Sequence, residues 1–523
     1  MGTRNRSRTQ HTVICNQDRD EVRKKPYTLT KSKLMAWRQC EKKLWLSEHR
    51  PALAQQPQNA ESRLHTGLQV GDVARTLFGE GPVIDFSQGI SGAIARTIAF
   101  MDQGVERIYE PTFIHDGVLV RADILERVSR RRPYKYRLVE VKSSTSVKDT
   151  HCEDSAIQAY VVSGAQVSLR SASVAHIDST FVYPGGGDNH GLLREVPVDD
   201  EIRPFLAQVP TWIHKANRVL RGPEPHTAVG PHCTQPYDCP FTDYCSNGPE
   251  AEYPVTLLPQ AGALTQALID EGYSDLRDVP RTRLSKDVHL RIWDATTSGR
   301  PYRDPALKAI LNALDYPRYF LDFETITFAV PIWPGTRPYQ QLPFQWSVHV
   351  EQSNGRLDHE EFLDTDGDGP MRACMLNLIE TLGTKGPVLV YTSFEKTVLK
   401  SMAKMFPDLA PALEEIVGRL FDLHPLLRNG WYHPSQKGSW SIKQVLPAFA
   451  PDLDYSQLGI SDGERAQKAY LDMINALTPA SRRIELKAQL LEYCSTDTLA
   501  MVRVLRSLSA TRGRTSRASF LEK

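Results

Sequence analysis

Five side chains in the C-terminal part of the chain have the types and spacing of a site that handles phosphate through divalent cations. In Tyr319-Phe-Leu-Asp322-Phe-Glu324-Thr325, two acids interrupt an apolar run, two residues apart. On a strand that spacing places both carboxylates on one face. Burying two carboxylates together on a core strand is unfavourable unless a cation holds them. A hydrolytic site with two cations needs about four such acids, one cation activating water and the other stabilising the leaving oxygen. Glu395 follows the apolar run Val388-Leu-Val-Tyr391, at the point where a strand should pass into a helix. Tyr493 and Asp497 are four residues apart, hence on one helical face, where Asp497 completes the metal cage and Tyr493 orients the attacking water. Asp422, in Leu420-Phe-Asp422-Leu, competes with Glu395; its other reading is a strand-end carboxylate capping the next helix. Lys443 is placed to contact a phosphate, and Trp440 belongs either to the core or to a base-stacking platform.

A second constellation lies upstream. Asp123, in Leu119-Val-Arg-Ala-Asp123-Ile-Leu, reads as a carboxylate on a strand, and Val139-Glu140-Val141-Lys142 follows. Glu140 and Lys142 share a strand face, so pairing of the two strands brings two carboxylates and one ammonium together. Hard oxygen ligands of this kind suit Mg2+ or Mn2+. Lys142 then orients or deprotonates water, or stabilises charge on phosphate. The plain alternative is a surface salt bridge. Gln158 is placed to reach a base or phosphate and Tyr160 to pack the site. His65 and Glu110 are weaker candidates for a further ligand.

Cys233, Cys239 and Cys245 recur with five residues between each pair, and Cys40 supplies a fourth thiol. Zinc sites usually use shorter C-x2-C pairs, whereas wide separations can wrap a larger 4Fe-4S cube. The set therefore points to an iron-sulfur cluster, with Zn2+ as the alternative. Cys15, Cys152, Cys374 and Cys494 lack partners at ligand spacing and read as ordinary thiols.

Elements that would position these groups can be read from periodicity. Residues 29–46 suggest one basic amphipathic helix capped by Thr30, and helical pattern continues over 67–78. Strands are expected over 118–128, 136–141 and 179–183, with a helix over 154–162 between the last two. A Pro- and Cys-rich stretch closes this unit near 254. After a helical connector over 255–315 comes a βββαβαβα order: strands at 319–323, 344–350, 360–363, 388–391 and 420–423, helices at 371–382, 395–406 and 483–508. The fold class is α/β, and that order suggests a mixed sheet with helices packed on it.

A chain of 523 residues with 41% hydrophobic side chains can bury several cores. Formal charge is only +1, with 63 basic and 62 acidic side chains, so no overall basic field advertises nucleic acid. Residues 1–50 carry thirteen Lys or Arg against five Asp or Glu; the part over 1–26 reads as a disordered basic tail, and 509–523 as a C-terminal tail. The sequence has no bilayer-length apolar run and no signal-peptide core, which leads to the expectation of a cytoplasmic protein.

From residue 29 to 160 the chain resembles the RecB-type PD-(D/E)XK nucleases, including the CRISPR-associated ones, and the four cysteines resemble their iron-sulfur staple. That resemblance implies a restriction-endonuclease-like domain over 27–254. In it Asp123, Glu140 and the Val141 carbonyl ligate metal, Lys142 is the catalytic lysine, and Cys40, Cys233, Cys239 and Cys245 hold the cluster. The family's early-helix His has no counterpart, since Gly67-Leu-Gln-Val70 is followed by Gly71. Residues 316–508 resemble DEDD exonucleases of ribonuclease H-like fold, in the subclass with Tyr in the third motif; Glu395 stands where those enzymes carry Asp. YFLDFET, RPYQQLPFQWS and YCSTDTLAM are the segments most similar to a bacterial family that fuses these two domains. The implied activity is Mg2+- or Mn2+-dependent phosphodiester hydrolysis of DNA or RNA, single-stranded, from a 3′ end at the C-terminal site, with a separate N-terminal nuclease site. The rival reading is a metal-stapled, nucleic-acid-binding scaffold with one or both sites inactive.

Overall fold

The computed structural model describes residues 29–55, 60–246 and 251–510. The basic tail over 1–26 and Cys15 lie outside these residues, as does the C-terminal tail beyond Ala510. The fold is mixed α/β, with a five-stranded mixed sheet in each half of the chain.

In the N-terminal half, β1 (Leu29–Thr30), β2 (Arg107–Tyr109), β3 (Thr112–His115) and β4 (Val118–Arg121) precede β5 (Ile124–Arg127), β6 (Tyr136–Lys142), β7 (Leu169–Ile177) and β8 (Leu193–Pro197). The main sheet has the order β2-β5-β6-β7-β8, and β1-β4-β3 form a small second sheet. The single strand expected over 118–128 is therefore two. The chain leaves one sheet and enters the other at Ala122-Asp123, so Asp123 occupies the break and not a strand. No strand forms over 179–183 either. Asp178 ends β7 by accepting a hydrogen bond from Thr180 N at 2.8 Å, and the strand lies upstream of that turn. The helix expected over 29–46 is broken as well: helices span Lys31–Gln39 and Glu41–His49, and Cys40 between them has extended φ and ψ of −163° and 128°.

In the C-terminal half, β10 (Arg318–Ile326) is central, after a short β9 (Tyr302–Arg303). It is followed by β11 (Leu342–Glu351), β12 (Leu357–Leu363), β13 (Val388–Val390), β14 (Leu420–Asp422) and β15 (Trp431–Tyr432). The order is β12-β11-β10-β13-β14, antiparallel on the β11 side and parallel on the β13 side. Every residue of β11 is buried, as expected for a strand covered on both faces. One cover is the helix Ala480–Ser509, longer than its periodicity suggests; Gln345 Nε2 donates to Leu490 O at 2.8 Å, and Ser347 and His349 meet the Thr498 hydroxyl. The helices expected at 371–382 and 395–406 form as Met371–Leu382 and Phe394–Met405.

The connector over 255–315 is helical in part, with helices Gly262–Asp270, Asp287–Ser298 and Ala306–Asn312. Its Leu268, Ile292, Leu307 and Leu311 share one core with Phe320, Leu389 and Val504, so it is built into the C-terminal half. The two halves meet through the long loop between β10 and β11. There Ala329 packs with Val70, Ile177 and Leu192, and Tyr183 and Gly335–Thr336 exchange backbone hydrogen bonds of 2.8 and 3.0 Å.

Candidate functional site

Asp322 and Glu324 leave β10 on one face, as period two requires. A β-bulge separates Glu324 from Thr325 in the pairing with β11, a feature that re-aims side chains beside it. Asp497 comes down from the helix Ala480–Ser509. Ligand oxygens of Asp322, Glu324 and Asp497 all lie within 4.8 Å of one another. Glu324 and Asp497 keep only 7% and 9% of their surface exposed, and Glu395 keeps 3%. Burial, then the Asp497, Glu324 and Glu395 charges, pushes the Asp322 carboxyl well above the usual range. Burial followed by Asp497 raises Glu324, while Lys443 opposes the shift. Glu395 is raised by burial and then by Asp422 and Asp497, and its Oε2 is buried without a hydrogen-bond partner. Among the described residues Asp322, Glu324 and Asp497 are the group of acidic, His or Cys side chains that closes to metal-ligand spacing, and Glu395 lies outside it. Hard oxygens, buried together and short of counter-charge, fit a divalent cation such as Mg2+ or Mn2+.

Lys443 supplies the local ammonium. Its Nζ donates to Ser461 O at 2.6 Å and to the Tyr493 hydroxyl at 3.1 Å, and it lies 5.0 Å from the centroids of both the Tyr455 and Tyr493 rings. It holds the site's tyrosine and is engaged by protein atoms. Tyr455 donates to Asp497 Oδ1 at 2.5 Å, and Cys494 packs its thiol 3.8 Å from Asp322 Oδ2. Neither contact is legible in the sequence: Tyr455 has no motif, and Cys494 lacks a partner at ligand spacing. Asp422 takes its plainer role, capping the helix Leu423–Gly430 by accepting from His424 N at 2.9 Å. It acts on the site through Glu395, whose ionisation it opposes. Trp440 is core, with Nε1 donating to Trp431 O at 2.8 Å.

In the N-terminal half, Lys142 Nζ lies 2.7 Å from Glu140 Oε1 and 2.6 Å from Asp154 Oδ2. The Val141 N–H donates to Asp123 Oδ2 at 2.7 Å, which brings Asp123 to the same point. A residue the sequence did not single out enters here. Lys31, in the first turn of the helix Lys31–Gln39, places its Nζ 2.9 Å from Glu140 and 3.2 Å from Asp154. It gets there because β1 pairs in parallel with β4 and Thr30 caps the helix through Lys33 N. Burial works against the charge on Glu140, yet Lys142 and Lys31 together hold its carboxyl well below its ordinary value. Asp123 moves the other way, to about 7, through burial and the neighbouring Glu140 charge. These acids still offer oxygens to a divalent cation, but two ammonium groups already serve them.

Two expectations are corrected here. Gln158 does not face a nucleic acid: it is fully buried, and its Nε2 donates to Glu140 Oε2 at 2.7 Å. Tyr160 does not pack the site; its hydroxyl donates to Asp116 and its ring meets His115. Asp154, four residues before Gln158 and so on its helical face, was open to the same periodicity reading. His65 is exposed. Glu110 is held by Arg121 at 2.8 Å and Arg75 at 3.8 Å, beside the Glu140 charge.

Cys40, Cys233, Cys239 and Cys245 converge from both ends of this half. Burial, and to a smaller extent the neighbouring thiols of the set, pushes the Cys239 and Cys245 thiols up, and Cys239 N donates to Cys233 O at 2.7 Å. Gln39 ties the helix end to the cysteine loop by donating to His232 O and Tyr237 O at 2.8 and 2.6 Å. The four sulfurs do not fall within 4.8 Å of one another, however.

No helix among the described residues is long and apolar enough to cross a membrane. Residues 319–441 match the family described as Domain of unknown function (DUF2779). That match takes in Asp322, Glu324, Glu395 and Asp422, and ends before Tyr493 and Asp497. The chain is also similar to a protein of Mycoplasma pneumoniae (strain ATCC 29342 / M129 / Subtype 1) named Uncharacterized protein MG366 homolog, 28% identical over 222 residues. The similarity covers 38% of this chain and 33% of that protein, so the chain spans about a third of the length of the relative it matches.

Proposed function

We propose that this protein is a metal-dependent nuclease whose principal site is the acidic cluster of Asp322, Glu324, Glu395 and Asp497. The reading is of a ribonuclease H-like exonuclease domain of DEDD type, removing nucleotides from the 3′ end of single-stranded DNA or RNA. One observation carries it: three carboxylates meet within 4.8 Å in a buried setting where Lys443 is the nearby cation and is itself committed to Tyr493. The β12-β11-β10-β13-β14 order, antiparallel then parallel about β10, is consistent with that fold.

Bound divalent cations would polarise the phosphodiester, generate hydroxide from water and stabilise the leaving oxygen. Asp322, Glu324 and Asp497 would hold them, with Glu395 turned into the same pocket. Tyr493, positioned by Lys443, orients water through its hydroxyl. Tyr455 fixes the Asp497 carboxylate. In the N-terminal half, Asp123, Glu140 and Lys142 have the composition of a PD-(D/E)XK site, which the cysteine set would staple. The Lys31 ion pairs favour a second reading of that half, in which its acids are neutralised by lysines and the site is inactive.

The test is a 3′-exonuclease assay on labelled single- and double-stranded DNA and RNA in Mg2+ and Mn2+, with Asp322→Ala and Lys142→Ala variants. Loss of 3′ trimming in Asp322→Ala is expected. Trimming that persists in a clean Asp322→Ala preparation would sink the assignment.

A further inference from the structure

Where the two halves meet, a cleft of about 850 Å³ is lined by Val182 from the N-terminal half, by Pro334, Gly335, Arg337 and Gln340 of the β10–β11 loop, and by Thr397, Lys400, Ser401, Lys404, Met405 and Phe406. The helix Phe394–Met405 forms one wall. Its second residue is Glu395, in the acidic site, and Lys396, Lys400 and Lys404 follow at every fourth position, all exposed. Successive lysines on such a face rise by about 6 Å, close to the phosphate repeat of an extended strand. Arg337 faces them from the loop, also exposed. Among the described residues none of these four cations enters an ion pair; the next acid after the helix, Asp408, is taken by Arg372 at 2.6 Å. On a chain of formal charge +1, Arg337, Lys400 and Lys404 lining one cleft, with Lys396 one turn further along the helix, form a local positive field.

The same loop reaches the other site. Tyr339 donates to Ser143 O, one residue beyond Lys142, while Gln340 donates to Ser401 on the helix at 3.2 Å. The helix that walls the cleft thus begins at the acidic site with the buried Glu395, and the loop ties the cleft to Ser143 beside Lys142. Val182, 45% exposed, and the part-buried Phe406 give it apolar surface of the kind bases pack on.

We propose that this cleft is a track for single-stranded nucleic acid, gripping phosphates with Arg337, Lys400 and Lys404, with Lys396 at the end nearer Glu395. It feeds the acidic cluster and so rests on the nuclease reading of that site. A phosphodiester backbone is what the charges recognise, and DNA and RNA share it.

The experiment uses the full chain and an Arg337→Ala/Lys400→Ala/Lys404→Ala variant whose melting temperature matches wild type, with Lys400→Glu as the second variant if it does not. Binding of labelled single-stranded DNA and RNA oligonucleotides is followed by anisotropy in EDTA, across a salt series. Each lost phosphate contact removes about 0.7 from the slope of log K against log salt. The triple variant should lose about 2 from that slope and about tenfold or more in affinity at low salt. With Mn2+, turnover of a dinucleotide should persist while degradation of long strands slows. An unchanged slope and affinity, or equal loss on dinucleotide and long strand, would overturn the track. So would polyglutamate binding as tightly as the oligonucleotides, which would mark a site for acidic polypeptide. If wild type hydrolyses nothing yet the slope falls as stated, the nuclease reading fails and the track stands. If wild type hydrolyses long strands and the variant matches it, the reverse holds.

Discussion

Replacing Glu324 with Gln should abolish activity and, in metal-free protein, make the fold more stable. Burial and the Asp497 charge push the Glu324 carboxyl from 4.5 to about 8. A carboxyl whose folded-state pKa lies above its unfolded value binds its proton more tightly when folded. The folded state then carries more protons, and stability falls as pH rises from the unfolded pKa to the folded one. At about pH 7.5 that linkage spans about three pH units, or about 4 kcal/mol at 1.36 kcal/mol per unit, as an upper bound. Gln removes the charge but leaves an amide to satisfy, so a net gain of about 1–3 kcal/mol is expected. For a unit of this size that is a rise in melting temperature of about 3–10 °C. Melting is followed in EDTA from about pH 5 to pH 8, where the difference between variant and wild type should grow with pH. Saturating Mn2+ should reverse the order, because a ligand at a hundred times its Kd stabilises by about 2.7 kcal/mol and the variant has lost a ligand oxygen. A variant that melts lower than wild type in EDTA at every pH would refute the picture of an uncompensated acidic cage. Equal Mn2+ shifts in the two proteins would refute its role as a cation site.

Three further outcomes follow from particular contacts. Glu395→Ala should remove exonuclease activity, whereas Asp422→Ala, losing the cap on the helix Leu423–Gly430, should cost about 1 kcal/mol of stability and leave most activity; the reverse ranking would exchange their roles. Lys31→Met leaves Glu140 and Asp154 to Lys142 alone, so metal-free protein should lose about 3 kcal/mol, with part recovered on adding Mn2+. A melting temperature indifferent to both changes would show that Lys31 does not serve those acids. Anaerobically purified protein should be brown with about four iron atoms per chain, and Cys239→Ser should bleach it; a colourless, zinc-loaded protein would refute the cluster.

Much of the C-terminal site was legible because its signals are local. The D-x-E pair at 322 and 324 and the Tyr493–Asp497 interval are consequences of strand and helix period, and the structure places both pairs as those periods require. Helices with a clear apolar repeat, such as Met371–Leu382, were legible for the same reason. The choice between Glu395 and Asp422 was not. Both end parallel strands or begin helices, and only packing turns one inward while the other caps its own helix. Asp123 could be named but not placed, since a switch between two sheets is a tertiary event that leaves no break in an apolar run.

By itself, then, the amino-acid order determined which acids share a face and which cysteines repeat. Periodicity acts over a few residues and is written along the chain. Whether those acids are served by a counter-charge was decided by the tertiary structure alone. Lys31 reaches Glu140 across a separation of 109 residues, and among the described residues no lysine does the equivalent for Glu324 beyond Lys443, which Tyr493 and Ser461 engage. Electrostatic balance in a buried site depends on distance through space, which sequence spacing does not encode. That difference leaves the C-terminal acids short of counter-charge and the N-terminal ones already paired.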